Sequence, residues 1–255
     1  MKARYIIKNA LASLLVIASA SATSGVISND FSDATGVTTV GSAAIVGGVG
    51  RLTTASGFQN GSIIFDATDG GIPITGFSGS FDFSLTNANG GGADGISFGL
   101  FDSAVGLSYV GNIEEEGSTT GFALGFDTWN NGAFDTSANE ISLRNNGVLI
   151  QRLSITDSMF QFDQGSSYTV DLSFVGGLLD LSVTTGSTTL NVFNQLAVTG
   201  WQALDGQFYF GGRTGGANNL QVIDNVFLET QTVSTPSIAI LMMFGAMAVF
   251  ARRFK

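Results

Sequence analysis

Apolar and polar side chains alternate with a period of two through most of the chain. In SFDFSL, Phe81, Phe83 and Leu85 fall on one face, Asp82 and Ser84 on the other. GISFGLF alternates Ile96, Phe98 and Leu100 with small residues. In GFALGFD, Phe122, Leu124 and Phe126 alternate with Ala123, Gly125 and Asp127, and Trp129 follows on the second face. This is the period of a β-strand with one buried face. YTVDLSFVGGLLDLSVT predicts a hairpin that pairs Val170, Leu172 and Phe174 with Leu179, Leu181 and Val183. Its turn is Gly176-Gly177, where glycine supplies the positive φ angles of a tight turn. GQFYFGG and VIDNVFLE predict the last strands, while GGVG (47–50) and NANGGGADG (87–95) read as loops. No segment between the two ends has a helical period. Strands apolar on one face must bury it against a second sheet, so the pattern predicts an all-β sandwich of two antiparallel sheets. Most of the 21 Phe residues can fill its core.

Both ends break the pattern. Residues 1–22 carry Lys2, Arg4 and Lys8, an apolar run from Ala10 to Ala20, and small residues at Ala18, Ala20 and Ala22. That is the form of a secretory signal peptide. At the other end Ser237 to Phe250 is apolar, and Arg252, Arg253 and Lys255 follow. The run is short for a membrane span, and its basic cluster would stay cytoplasmic. The arrangement resembles the PEP-CTERM sorting signal of exported proteins of Gram-negative bacteria, with Ser234-Thr235-Pro236 in place of the motif. The Glu usual before the Pro is missing. The expected organisation is a signal peptide (1–22), one domain (23–232) and a C-terminal sorting or transmembrane segment (233–255). The expected location is the cell surface or extracellular matrix, with the C-terminal segment in the inner membrane before processing.

Removing the ends changes the charge. Six of the 10 basic residues lie there, leaving Arg51, Arg144, Arg152 and Arg213 against 20 acids, a formal charge of −16. Such a surface repels phosphate backbones and suits cations, so no nucleic-acid partner is expected. The chain has no Cys and no His. Disulfides, Ser-His and Cys-His nucleophiles and His-ligated zinc or copper are thereby excluded.

The candidate chemistry lies where the 122–127 strand ends. Asp127, a backbone carbonyl in the Asn130-Asn131-Gly132 turn, Asn131 and Asp135 can converge on one point. Hard oxygens with two charges suit calcium. The same residues also suit a turn that hydrogen-bonds its own backbone. By spacing alone, both readings stand.

Three stretches in order, GGGADGISFGL (90–100), GFALGFDTWNNGAFDTSANEISL (121–143) and FYFGGRTGGANNLQVIDNVFL (208–228), resemble the legume-type (L-type) lectins. The resemblance covers about residues 25–230 and implies the concanavalin-like jelly roll. It implies one calcium ion held by Asp127, the Trp129 carbonyl, Asn131 and Asp135, and a cis Ala93–Asp94 peptide. It places Asp94, Gly111, Trp129, Asn131 and Gly216 at a carbohydrate site, with Trp129 stacking on the sugar ring. Two departures bear on a second, transition metal. The family's Glu two positions before the Asp is Gly125 here, and its His is Glu140. The second ion is therefore expected to be lost, with Glu140 still open to a hard cation. Arg213 is expected to pair with an Asp in preference to binding an acidic sugar, and Glu114-Glu115-Glu116 to be a solvated loop in preference to a second cation site.

Sandwiches of this kind also host glycoside hydrolases, which need two carboxylates across the scissile bond. The related glucanases present Glu-x-Asp-x-Glu; Gly125-Phe126-Asp127-Thr128-Trp129 keeps only the central acid. The expectation is a calcium-dependent module binding a glycan or exopolysaccharide, not an enzyme. A structural or adhesive matrix protein without sugar affinity is the alternative, and a hydrolase ranks behind it.

Overall fold

The structure, a computed structural model, describes residues 24–89, 91–106, 114–132 and 135–232. Among these described residues fifteen strands run in chain order. The first six are β1 (Val26–Asn29), β2 (Val37–Gly41), β3 (Ala44–Val46), β4 (Val49–Thr53), β5 (Asn60–Phe65) and β6 (Ile74–Asn89). Then come β7 (Gly95–Asp102), β8 (Phe122–Asp127), β9 (Glu140–Asn145) and β10 (Val148–Ser154). The last five are β11 (Gln164–Val175), β12 (Leu178–Thr185), β13 (Thr188–Ala197), β14 (Gly206–Arg213) and β15 (Asn218–Thr232). Among the described residues, helix is limited to short 3₁₀ turns such as Ser103–Val105 and Ser158–Phe160. None is long and apolar enough to cross a membrane. The signal-peptide and sorting-segment expectations fall outside the described residues.

One sheet has the order β13-β12-β11-β6-β15-β4-β3, with β1 also paired to β15; the other has the order β10-β9-β8-β7-β14-β5-β2. The predicted hairpin forms in the expected register, Val170 opposite Val183 and Phe174 opposite Leu179. Gly176 and Gly177 turn it at φ 61° and 78°. Two expected loops are shorter than predicted. Only Gly47-Gly48 turns between β3 and β4, and β6 continues to Asn89 before the chain leaves the sheet.

Phenylalanines join the two sheets. Phe77 and Phe81 of β6 meet Phe122 of β8 and Phe210 of β14 edge to face, at centroid distances of 5.2 and 4.8 Å. Phe83 packs on Phe126 at 5.0 Å. Aromatic pairs in these geometries add about 0.5–1.5 kcal/mol each beyond area burial. Trp201 caps this layer, its indole perpendicular to Phe174 and its Nε1 donating to the Thr75 carbonyl at 3.2 Å.

One feature of the seven-stranded sheet departs from simple alternation. Every residue of β8 is buried, including Ala123, Gly125 and Asp127 on the face away from the phenylalanines. The segment beginning at Glu114 lies across that face. Ser97 Oγ of β7 donates to the Glu114 carbonyl at 2.6 Å, and the Ser118 N–H donates to the Tyr209 hydroxyl at 2.7 Å. This third layer positions the site.

Candidate metal centre and adjoining cavity

Asp127 ends β8 in register with Gly95 of β7 on one side and Glu140 of β9 on the other. The Ala93–Asp94 peptide is cis. The Asp94 carbonyl accepts from the Thr128 backbone N–H at 2.8 Å and from Thr128 Oγ1 at 3.0 Å, tying the two loops together. Asp127 Oδ1 accepts from the Trp129 N–H at 2.8 Å, and Asp135 Oδ2 accepts from the Asn131 N–H at 2.6 Å. These contacts draw in a third acid. Carboxylate oxygens of Glu116, Asp127 and Asp135 all lie within 4.8 Å of one another. Asp127 is 3 % exposed, and its Oδ2 has no hydrogen-bond partner. A buried carboxylate oxygen left unpaired is costly, and it fits a site whose missing partner is a cation.

The acidic run is not the solvated loop expected from the sequence. Glu115 is 3 % exposed, Glu114 pairs with Arg213 at 2.7 Å, and Glu116 pairs with Arg144 and with Arg152. A composition rule sees three like charges. It does not see that three of the domain's four arginines lie opposite them.

Gly125 acquires a reason here. A Cβ on it would stand 2.6 Å from the Glu115 carbonyl and 2.7 Å from Ser142 Oγ. The space a side chain would need there is filled by backbone of the acidic segment. We therefore expect Gly125→Ala to lower stability by about 1–3 kcal/mol through overpacking, measured by urea unfolding. An unchanged midpoint would show that the segment yields freely. Gly125→Glu is expected to expel the segment and not to rebuild a second metal site.

Glu140 is committed to other partners, contrary to the expectation that it stays open to a hard cation. Fully buried, it accepts from Thr136 N, Thr136 Oγ1 and Ser137 N through Oε2, at 2.7–3.2 Å. Its Oε1 lies 2.7 Å from Arg152 Nε. The Arg152 guanidinium also stands 3.5 Å from Asp135 Oδ1 and 3.5 Å from Glu116 Oε1. The cation on this side of the cluster is an arginine.

Seven carboxylates (Asp94, Glu114, Glu115, Glu116, Asp127, Asp135, Glu140) thus gather around Arg144, Arg152 and Arg213. Burial shows in the titration of three of them, Asp94, Glu115 and Asp127. Burial, opposed by the Trp129 N–H and reinforced by Asp135, Glu115 and Glu140, pushes Asp127 up to about 8. Burial pushes Glu115 up to about 7, with the Asp94 and Glu114 charges adding to it. Asp94 is raised by burial against the opposing pull of Arg213. Without a further cation, the cluster holds protons in its place.

Above the cluster opens a cavity of about 410 Å³ lined by Glu114, Glu115, Glu116, Asn131, Asp135, Arg144 and Arg213. Asn131 is exposed there and Trp129 is half-buried, its indole near Gly91, where a Cβ would stand 3.6 Å from Cζ3. Asp94 is 4 % exposed, paired with Arg213 Nε at 3.2 Å and covered by Gly215. Arg213 thus pairs with an Asp, as expected, and with Glu114 as well. Gly216 is exposed in the same loop, where a Cβ added to it would meet nothing within 4 Å. Gly111 lies outside the described residues. Sequence reasoning set the 114–116 run aside as a solvated loop, and it missed Arg144 and Arg152. The available signal was the scarcity of basic residues; two of the four sit on strands that pair with each other, Arg152 opposite Ser142 and Arg144 two residues further on the same face.

No family model matches the sequence, and no curated protein matches it. Solved structures do. The Bauhinia forficata lectin in complex with GalNAc superposes with a TM-score of 0.60 at 19% identity, covering 84% of this chain and 100% of that one. The metal-free lectin I-B4 of Griffonia simplicifolia gives 0.63 at 20%, covering 83% and 100%. The VIP36 exoplasmic/lumenal domain in its Ca2+/Man3GlcNAc-bound form gives 0.59 at 15%, covering 79% and 89%. The fold is the concanavalin-like jelly-roll sandwich of these lectins.

Proposed function

We propose that this domain binds glycans in the cavity over the acidic cluster, and that a calcium ion orders it. The observation that carries the reading is the buried, unpartnered Asp127 Oδ2 among converging carboxylates directly below a polar cavity. Asp127, Asp135 and Asn131 would hold the ion with the Trp129 carbonyl, and Glu116 adds a carboxylate from outside that loop. Hard oxygen donors with several charges match calcium. Bound there, the ion supplies charge compensation and fixes the loops that line the cavity, which removes part of the ordering cost of binding. Asp94 and Arg213 offer an acceptor beside donors, the complement of a sugar hydroxyl, and the Trp129 indole offers an apolar face. Two of the similar structures contain GalNAc and Man3GlcNAc, and one of these contains Ca2+ as well, which supports the same reading.

The role is binding without catalysis. Among the described residues Glu114, Glu116 and Glu140 pair with arginines, and the strand keeps only the central acid of the Glu-x-Asp-x-Glu pattern, which argues against hydrolysis. With residues 1–22 as a signal and 233–255 as a sorting segment, the domain would be displayed at the cell surface. There, clustered copies gain avidity for a repeating exopolysaccharide. Calcium calorimetry followed by a glycan screen with and without chelator tests this. Binding of one calcium ion, and glycan retention lost in chelator, is expected. Calcium binding with no glycan retained would instead make it an adhesive or structural protein, and reducing-sugar release would make it a hydrolase.

A further inference from the structure

Phe58 is 89 % exposed, the most exposed of the large hydrophobic residues described. It also stands in the left-handed region, at φ 58°. That conformation favours glycine or asparagine and is unfavourable for a bulky side chain. A phenylalanine there neither eases the turn nor packs in the core, so its place needs another reason.

The loop that carries it is firmly held. The Phe58 N–H donates to the Gly215 carbonyl at 3.0 Å, and the Thr214 N–H donates to the Gln59 carbonyl at 2.9 Å. Thr214 Oγ1 donates to the Ser56 carbonyl at 2.7 Å and accepts from the Gln59 N–H at 3.0 Å. Gln59 Oε1 closes the base of the loop by accepting from Thr54 N at 2.7 Å. What this loop is stapled to is the cover of the proposed sugar site. Gly57 sits so close that a Cβ on it would meet the Gly215 carbonyl at 2.8 Å, and a Cβ on Gly215 would meet Asp94 Oδ1 at 3.3 Å. One residue therefore touches both the Phe58 loop and the buried carboxylate at the cavity edge.

We propose that Phe58 is an aromatic platform for a second pyranose ring, extending the site from a single sugar to an oligosaccharide. The proposal rests on the glycan-binding reading above. A ring on a stapled loop loses little conformational freedom on contact, as rigid aromatic residues of binding surfaces do. The apolar face of a pyranose matches it. The first ring would lie in the cavity and the next over Phe58, so ligands of two or more sugars gain affinity that monosaccharides cannot.

The test compares Phe58→Gly and Phe58→Trp with the unaltered protein in calcium. The probes are methyl α-mannoside against mannotriose, and galactose against β-1,4-galactotriose. In at least one series the trisaccharide should bind about 3- to 10-fold more tightly than the monosaccharide, the range one aromatic contact supplies. Phe58→Gly should erase that ratio, and Phe58→Trp should keep it. The melting temperature of Phe58→Gly should be unchanged or raised, because glycine suits the backbone and no packing is lost. A ratio that survives Phe58→Gly overturns the platform while leaving glycan binding intact. A marked fall in melting temperature overturns it in favour of a structural residue. Failure of every saccharide to bind removes the glycan reading itself, and the platform with it.

Discussion

Asp127→Asn is expected to weaken calcium binding by about 100-fold or more, and yet to stabilise the metal-free protein at alkaline pH. The first effect follows from removing a charged ligand from the centre of the cluster. The second follows from the proton that Asp127 holds when no ion is present. Its folded value of about 8 stands well above its ordinary 3.8. Between these values the folded protein keeps a proton that the unfolded chain has shed, so stability falls as pH rises through this window. It is fully present below 3.8 and lost by about 8. Glu115 acts in the same direction between 4.5 and about 7. At about 1.4 kcal/mol per unit, the combined loss is on the order of several kcal/mol. Asparagine is neutral at every pH and removes the Asp127 share. Thermal unfolding in chelator at pH 5 and pH 9 should show the unaltered protein falling more steeply than the variant, and calcium should restore it at pH 9. An unaltered protein more stable at pH 9 than at pH 5 in chelator would contradict the electrostatics of the cluster.

Arg152→Met should cost about 3–5 kcal/mol, the usual effect of removing one partner from a buried ion pair. The loss is large because Arg152 is 11% exposed and faces Glu140, Asp135 and Glu116 at once, Glu140 being fully buried. Methionine fills similar volume, so the effect isolates charge from packing. A Glu140→Gln change added to Arg152→Met should recover much of the loss, since the uncompensated charge is then gone. Arg152→Lys should recover only part, because an ammonium lacks the fork that reaches three acids. Denaturant unfolding of these four proteins and of the Glu140→Gln single variant measures the coupling. Additive single and double changes would mean that Arg152 acts through packing alone.

The sandwich was legible in the chain because period-2 alternation and glycine turns are local signals, and the Gly176-Gly177 hairpin fell in its expected register. Asp127, Asn131 and Asp135 were legible for the same reason, lying within nine residues of one strand end. Glu116 was not. It reaches Asp127 by way of a segment that crosses the sheet over Gly125, Ser97 and Tyr209; of these the sequence marks only Gly125, and marks it for a missing Glu and not for a crossing segment. Arg152 was missed because its three acids come from positions 116, 135 and 140, which no spacing rule joins. Phe58 reads in sequence as one more core aromatic; its exposure follows from a loop stapled to residue 214 across the fold.

The phenylalanine layer between the sheets is complete without help from the acidic cluster. Rings from both sheets interlock beneath the site, and none of them depends on an ion for a partner. Folding and readiness to bind are therefore separable properties of this protein. On the proposed reading it would reach its destination as a finished sandwich in a compartment poor in calcium and bind only on meeting the ion outside, so that the medium, and not the chain, would decide when it holds on.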